Sequence, residues 1–214
     1  MRLDIPAAWE QLPTDPEDVE PFLTAHLVAE KWVDVAPTDR RIVENAVRRL
    51  VNEMSALRCT IAAVFADAVE SDSPAESDEP GLPSVLCATV LVAVLTRRDL
   101  GTPLQLTPEV LLAALGSAAR GPVSYRDLQA PEPVALGVGA ALHTRRLQRV
   151  DDLGPEPMEM LMEQYYVPVE PEFEQVVLIQ FATPALHLGE EFSKLFAAIA
   201  GTFALYREGE PTPA

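Results

Sequence analysis

The densest group of reactive side chains in the sequence is the run HTRRLQR, which places His143, Arg145, Arg146 and Arg149 close together in a chain with only 16 basic residues. If the run is a strand, His143, Arg145, Leu147 and Arg149 share one face. Guanidinium groups grouped in this way bind carboxylates or other anions through paired, charge-assisted hydrogen bonds. The four residues are therefore a candidate interaction patch. The competing structural reading is that the arginines blunt an exposed sheet edge and meet the protein's own acids. Further along, Met158, Met160 and Met162 alternate, so on a strand they form one face and could line a site for an apolar ligand or peptide. The commoner use of such a stripe is as core beneath a helix. Glu159 and Glu163 fall on the opposite face with Leu161 and Tyr165. Paired carboxylates do acid–base chemistry when an apolar enclosure drives their pKa values apart, and nothing nearby suggests one. The expectation is two glutamates on a solvated face.

Other constellations are weaker. Gly137-Val-Gly-Ala-Ala-Leu142 has two glycines of a dinucleotide fingerprint, without the third glycine or the strand–turn–helix context that the chemistry requires. These glycines are read as a bend in a strand or a point of close approach. His26, His143 and His187 lie far apart, none at metal-ligand spacing from a Cys, Asp or Glu. No catalytic residue, cofactor or metal is expected. Tyr166 to Glu170 has the tyrosine-x-x-x-acid spacing of a type VII export signal, without the helical hairpin that accompanies one.

The elements that would position these residues follow from periodicity. Ile42, Ala46, Val47, Leu50, Val51, Met54 and Leu57 fall on one face of a helix over 38–57 with Thr38 as its N-cap. A second helix opens at Thr107-Pro108-Glu109 and ends at Gly121, burying Leu111, Leu112, Leu115 and Ala119. A third is signalled by Thr183-Pro184 and buries Leu188, Phe192, Leu195, Phe196 and Ile199. Strand-like runs occupy 60–69, 85–96, 134–150, 158–167 and 175–183, with a weaker one at 123–128. The run from Val85 to Leu95 is apolar at both alternating sets of positions, so both of its faces should be covered. Only a few residues around 170–173 join the last two strands, which permits a hairpin and forbids a parallel crossover.

The expected fold is therefore α+β: a mostly antiparallel sheet of five to six strands with helices on both faces. Its expected organisation is an arm over 1–37 containing Trp9, Trp32 and a short helix near 20–31, then a single domain over 38–207. An acidic, proline-punctuated loop over 70–83 and a disordered tail over 208–214 complete it.

Against 33 acidic residues the 16 basic ones leave a net charge of −17, a field that repels phosphate backbones and anionic lipid. Nucleic acid and membrane are thus poor partners, and a protein with a basic surface is a better one. No apolar run reaches the ~18 residues of a membrane span. The first residues lack the pattern of a secretory signal, so the expected location is cytoplasmic. Cys59 and Cys87 each lie in an apolar run and read as buried, reduced thiols. Homodimerisation through an edge strand or the arm is open.

Residues 164–169 (QYYVPV), 176–184 (VVLIQFATP) and 192–203 (FSKLFAAIAGTF) resemble the C-terminal half of the LpqN-type lipoprotein family of high-GC bacteria. The resemblance implies a PsbP-like α/β/α sandwich, no accepted catalytic residues, and a kinship with protein-binding accessories such as a photosystem subunit and a nuclear-import factor. The family's lipobox cysteine is absent here, so anchoring is not implied. Composition, charge and resemblance together lead to a non-enzymatic protein-interaction module: an adaptor, chaperone or accessory subunit, secretion-associated roles included. The alternative is a carrier of a small apolar ligand or peptide under the Met158–Met162 strand.

Overall fold

The doubly apolar run Val85–Thr96 forms β3, which is buried along nearly its whole length in the middle of an eight-stranded sheet. This computed structural model describes residues 1–13, 15–27, 37–57, 59–68, 85–118, 125–151, 156–169 and 171–205. The other strands are β1 (Glu10–Gln11), β2 (Cys59–Ala68), β4 (Tyr125–Asp127), β5 (Glu132–Leu136), β6 (Gly139–Val150), β7 (Met158–Pro168) and β8 (Gln175–Thr183). They run in the order β1-β2-β3-β8-β7-β6-β4, with β5 also on the outer side of β6, and every pairing is antiparallel. Helices α1 (Val19–Leu27), α2 (Pro37–Leu57), α3 (Pro108–Ala118) and α4 (Gly189–Gly201) complete the described elements. The molecule is thus an α+β fold built on an antiparallel sheet with helices on both faces. No helix among the described residues is long and apolar enough to cross a membrane.

Eight strands replace the expected five to six for two reasons. The two-residue β1 is too short to leave a period in the sequence. The run 134–150, read as one strand, folds back on itself: Gly139 adopts φ +128, open to glycine and rarely to other residues, and Leu136 pairs with Gly139 across the turn. The glycines therefore close a hairpin where a bend was expected. The third helix also starts later than its Thr-Pro signal. The Thr183 hydroxyl donates to the Cys87 carbonyl at 2.7 Å and accepts from the Ala185 amide at 3.1 Å, so it closes the end of β8. A single 3-10 turn, Leu186–Leu188, then leads into α4. Helix α2 begins one residue early, at Pro37, which puts Thr38 inside its first turn. Leu112 of α3, expected inside, is 37 % exposed.

The two sets of alternating residues build two cores. On one side α2 and α3 bring Val47, Leu50, Met54 and Leu111 onto Leu91, Leu142 and Leu178. On the other, α4 lays Phe192, Phe196 and Ile199 over Val90, Tyr165, Ile179 and Phe181, with the Phe181 and Phe196 rings stacked at 4.7 Å. The N-terminal segment seals this second core. Arg2 and Ala204 exchange backbone hydrogen bonds of 2.9 Å, and Trp9 is buried with its ring 6.0 Å from that of Phe65. Trp32, the 70–83 loop, residues 208–214 and the Gly121 helix end lie outside the described residues.

A buried ion cluster as candidate functional site

Strand register decides which of the candidate residues meet. Pairing of β6 with β7 sets Arg145 opposite Glu163 and His143 opposite Tyr165, all on the α4 face of the sheet. Helix α4 crosses above and lowers Ser193 onto the same point. Glu163 is 1 % exposed, not solvated as expected. Its Oε1 accepts from the Ser193 hydroxyl and lies 3.4 Å from Arg145 Nε, while its Oε2 lies 3.2 Å from His143 Nε2. The Arg145 contact is an ion pair without hydrogen-bond alignment; the better bond of that guanidinium runs from Nη2 to Glu190 on α4, at 2.8 Å.

His143 is held from both sides. Gln129 Nε2 approaches its Nδ1 at 3.2 Å and also donates to Glu132 at 3.0 Å, and the imidazole stacks on Tyr165 with ring centres 4.6 Å apart. His143 thus presents Nε2 to the Glu163 carboxylate and Nδ1 to the Gln129 amide, with Glu132 Oε1 3.6 Å from Nδ1. Burial, followed by the nearby Glu163 charge, pushes the Tyr165 phenol well above its ordinary range.

Ser, Glu and His in contact invite comparison with a hydrolytic triad, and the order of contacts is wrong for one. A nucleophile needs a base lone pair at its hydroxyl with a third group orienting the base. Here the carboxylate stands between Ser193 and His143, so the imidazole cannot take the serine proton. The Ser193 oxygen also lies 2.8 Å from the Gly189 carbonyl, a bond within its own helix turn. The arrangement ties β6, β7 and α4 together, and its outer members Glu190 and Glu132 reach solvent at 72 % and 55 % side-chain exposure.

The rest of the candidate patch separates from it. Arg146 points to the α2 and α3 side and pairs with Asp127 of β4 at 2.8 Å. Arg149 shares the face of His143 and Arg145 and meets Asp151 at 3.3 Å. Nor does β6 form the sheet edge, because β5 covers Gly139–His143 and β4 covers Arg146–Gln148. Glu159 is half exposed and 3.7 Å from Arg126. Met160 and Met162 are buried under α2 with Met158 at the margin, and the cavity beside them has a volume of about 30 Å³. That is a tenth of the ~300 Å³ at the lower end of small-molecule sites, and its mostly apolar lining includes the polar side chains of Thr89, Gln148 and Gln180. The geometry gives an apolar ligand no room there. Among the described residues no three His, Cys, Asp or Glu side chains are arranged to hold a metal ion.

Sequence reasoning placed Glu163 on a solvated face and missed Ser193 and Gln129. The available signal was the β6–β7 hairpin: once its register is set, an arginine and a glutamate face each other across two inner strands, where neither can stay unpaired.

No protein-family model matches the chain, and no curated protein matches it. Among solved structures it is similar to LpqN of Mycobacterium tuberculosis, a protein involved in cell envelope biogenesis, at 12 % identity and TM-score 0.42, over 94 % of this chain and 79 % of that one. It is also similar to the Saccharomyces cerevisiae Ran-binding protein Mog1p, at 13 % identity and TM-score 0.35, over 69 % and 80 % of the two chains. Likenesses of this size assign neither family nor function, and the chain's own residues must carry the reading.

Proposed function

We propose that this chain is a cytoplasmic, non-enzymatic interaction module, an adaptor or accessory subunit that selects a partner with a basic surface. The observation that supports this is where its positive charges go. Arg2, Arg48, Arg97, Arg126, Arg145, Arg146 and Arg149 each pair with a carboxylate of the same chain. With 33 acids against 16 bases, the uncompensated charge is carboxylate. Such a surface steers basic partners toward it and repels acidic ones. The buried ion cluster fits the same reading, since its carboxylate is spent on holding strands and helix together. The resemblance of β7, β8 and α4 to LpqN-type segments points to the same class of role.

The test is to mix the purified protein with the products of neighbouring genes and measure complex mass by size exclusion with light scattering. A complex that forms in ~0.1 M salt and dissociates toward ~1 M, where charges are screened beyond about 3 Å, is the expected result. Absence of any binder among them, together with a measured turnover, would overturn the proposal.

A further inference from the structure

Beneath an amphipathic helix a sheet ordinarily offers an apolar floor, but under α2 the floor is interrupted. Thr89 on β3, Gln180 on β8 and Gln148 on β6 border the cavity of about 30 Å³, roofed by α2 around Arg49 and Leu50. Space remains because Ala182, in the floor, is small. Thr89 and Gln148 are 6 % and 9 % exposed, and neither side chain hydrogen-bonds to a described residue. Gln180 is held differently. Its Oε1 accepts from Gln164 at 2.6 Å, Gln164 being fixed in turn by Tyr166 at 3.1 Å, and this leaves the Gln180 amide nitrogen available to the cavity.

Whatever fills this space must both donate and accept, because a hydroxyl and two amides converge on it. An apolar occupant would leave Thr89 and Gln148 buried without partners. A cation is disfavoured, since the lining includes Arg49 and no carboxylate. At roughly 10–15 Å³ per water in such a measure, the volume suits two small molecules. We propose that the cavity is a binding site for two ordered waters, which bridge Thr89, Gln148 and Gln180 and seat α2 on the sheet. Helix α2 then rests on a hydrated contact above Thr89 of β3, Gln180 of β8 and Gln148 of β6, and on dry contacts elsewhere.

Thr89→Val keeps the shape and removes the hydroxyl, so the sign of its effect separates the two states of the cavity. With bridging water the substitution strips a partner and lowers Tm by about 2–4 °C. In a dry cavity it removes an unsatisfied group, so an unchanged or raised Tm overturns the proposal. Independently of any variant, a high-resolution crystal structure of the unaltered protein should show two waters within about 3 Å of the Thr89 hydroxyl and the two amides. No density there, or density for a larger ligand, overturns it equally.

Discussion

On the α4 face of the sheet the buried polar side chains meet one another directly: Glu163 is shared by Ser193, His143 and Arg145, and His143 is held again by Gln129. On the α2 face Arg146 finds Asp127 and Thr144 finds Gln164, while Thr89 and Gln148 face a cavity. The apolar partners differ too, with stacked aromatic rings under α4 and aliphatic and methionine side chains under α2. Rings interdigitate into a close-packed layer that leaves no space for solvent around a charge, so a carboxylate there must be satisfied by protein. Aliphatic chains over a small residue leave a hollow, and polar groups beside it can depend on solvent. A buried carboxylate is therefore tolerated on the face that fixes it most tightly.

The largest expected effect tests that contrast. Glu163→Ala leaves Arg145 and His143 without their buried carboxylate and should cost about 3 kcal/mol, the lower end of the range for breaking a buried pair because Arg145 retains Glu190. In thermal unfolding this is a fall of roughly 6–12 °C. Glu159→Ala, four residues away on the same face but half exposed, should change stability by less than about 0.5 kcal/mol. Equal effects from the two would mean that Glu163 is not the fixed point of the α4 face.

Much of this organisation was legible in the chain, and the reasons it stopped being legible are specific. Periods of two and 3.6 marked β3, β7, β8 and α2 to within a residue or two, because burial on both faces or on one stripe leaves a pattern in the apolar residues. The antiparallel sheet followed from one short connection. The ion cluster was not visible because it joins β6, β7, α4 and Gln129, four places whose meeting depends on register and on how α4 crosses the sheet. Residue types could nominate His143 and Arg145 and could not supply the glutamate that holds them. Glu163 itself was misread since Glu159 on the same strand face implies a wet one, whereas burial there is imposed by α4 from thirty residues away. The leucine exposed on α3 has the same origin: an apolar helix signals that it packs, not which of its sides packs.

The next effect belongs to the α2 face and reads its dryness away from the cavity. Burial pushes the Cys87 thiol up to about 12 from an ordinary value of 9.0. The folded protein therefore keeps the thiol proton in a range where the unfolded chain loses it, and stability from this group is full below pH ~9 and lost as pH rises toward 12. At pH ~10.5 the loss should be about 2 kcal/mol, from 1.36 kcal/mol per pH unit. Denaturant titrations of the parent and of Cys87→Ala at pH 8 and 10.5 isolate it, since other groups titrate in both proteins and only the parent carries this slope. Parallel slopes would show that solvent reaches Cys87 and that the α2 core is wetter than the contrast requires. Cys59, only partly buried and facing Ala93 across the ladder while Cys87 faces Ala66, should be alkylated near pH 8 when Cys87 is not.

The smallest effect is expected where α2 meets solvent, at the bidentate pair in which Arg48 donates to Glu20 of α1 at 2.8 and 3.2 Å, with Glu44 beside it at 3.4 Å. The Arg48 hydrogen bond holds the Glu20 carboxyl below its ordinary range, so whatever stability the pair gives is present above the unfolded carboxylate range and fades as pH falls through the folded one. Yet Glu20 is two-thirds exposed and Arg48 more than a third, and water and salt screen both. Arg48→Ala should therefore cost little even at low salt, and that cost shrinks toward zero as salt is raised. The Arg145–Glu163 pair has the same two residue types and a poorer hydrogen-bond angle, but its carboxylate is sealed beneath α4. If the effects of Arg48→Ala and Glu163→Ala respond alike to salt, burial does not distinguish the two, and the contrast between the faces fails at its root.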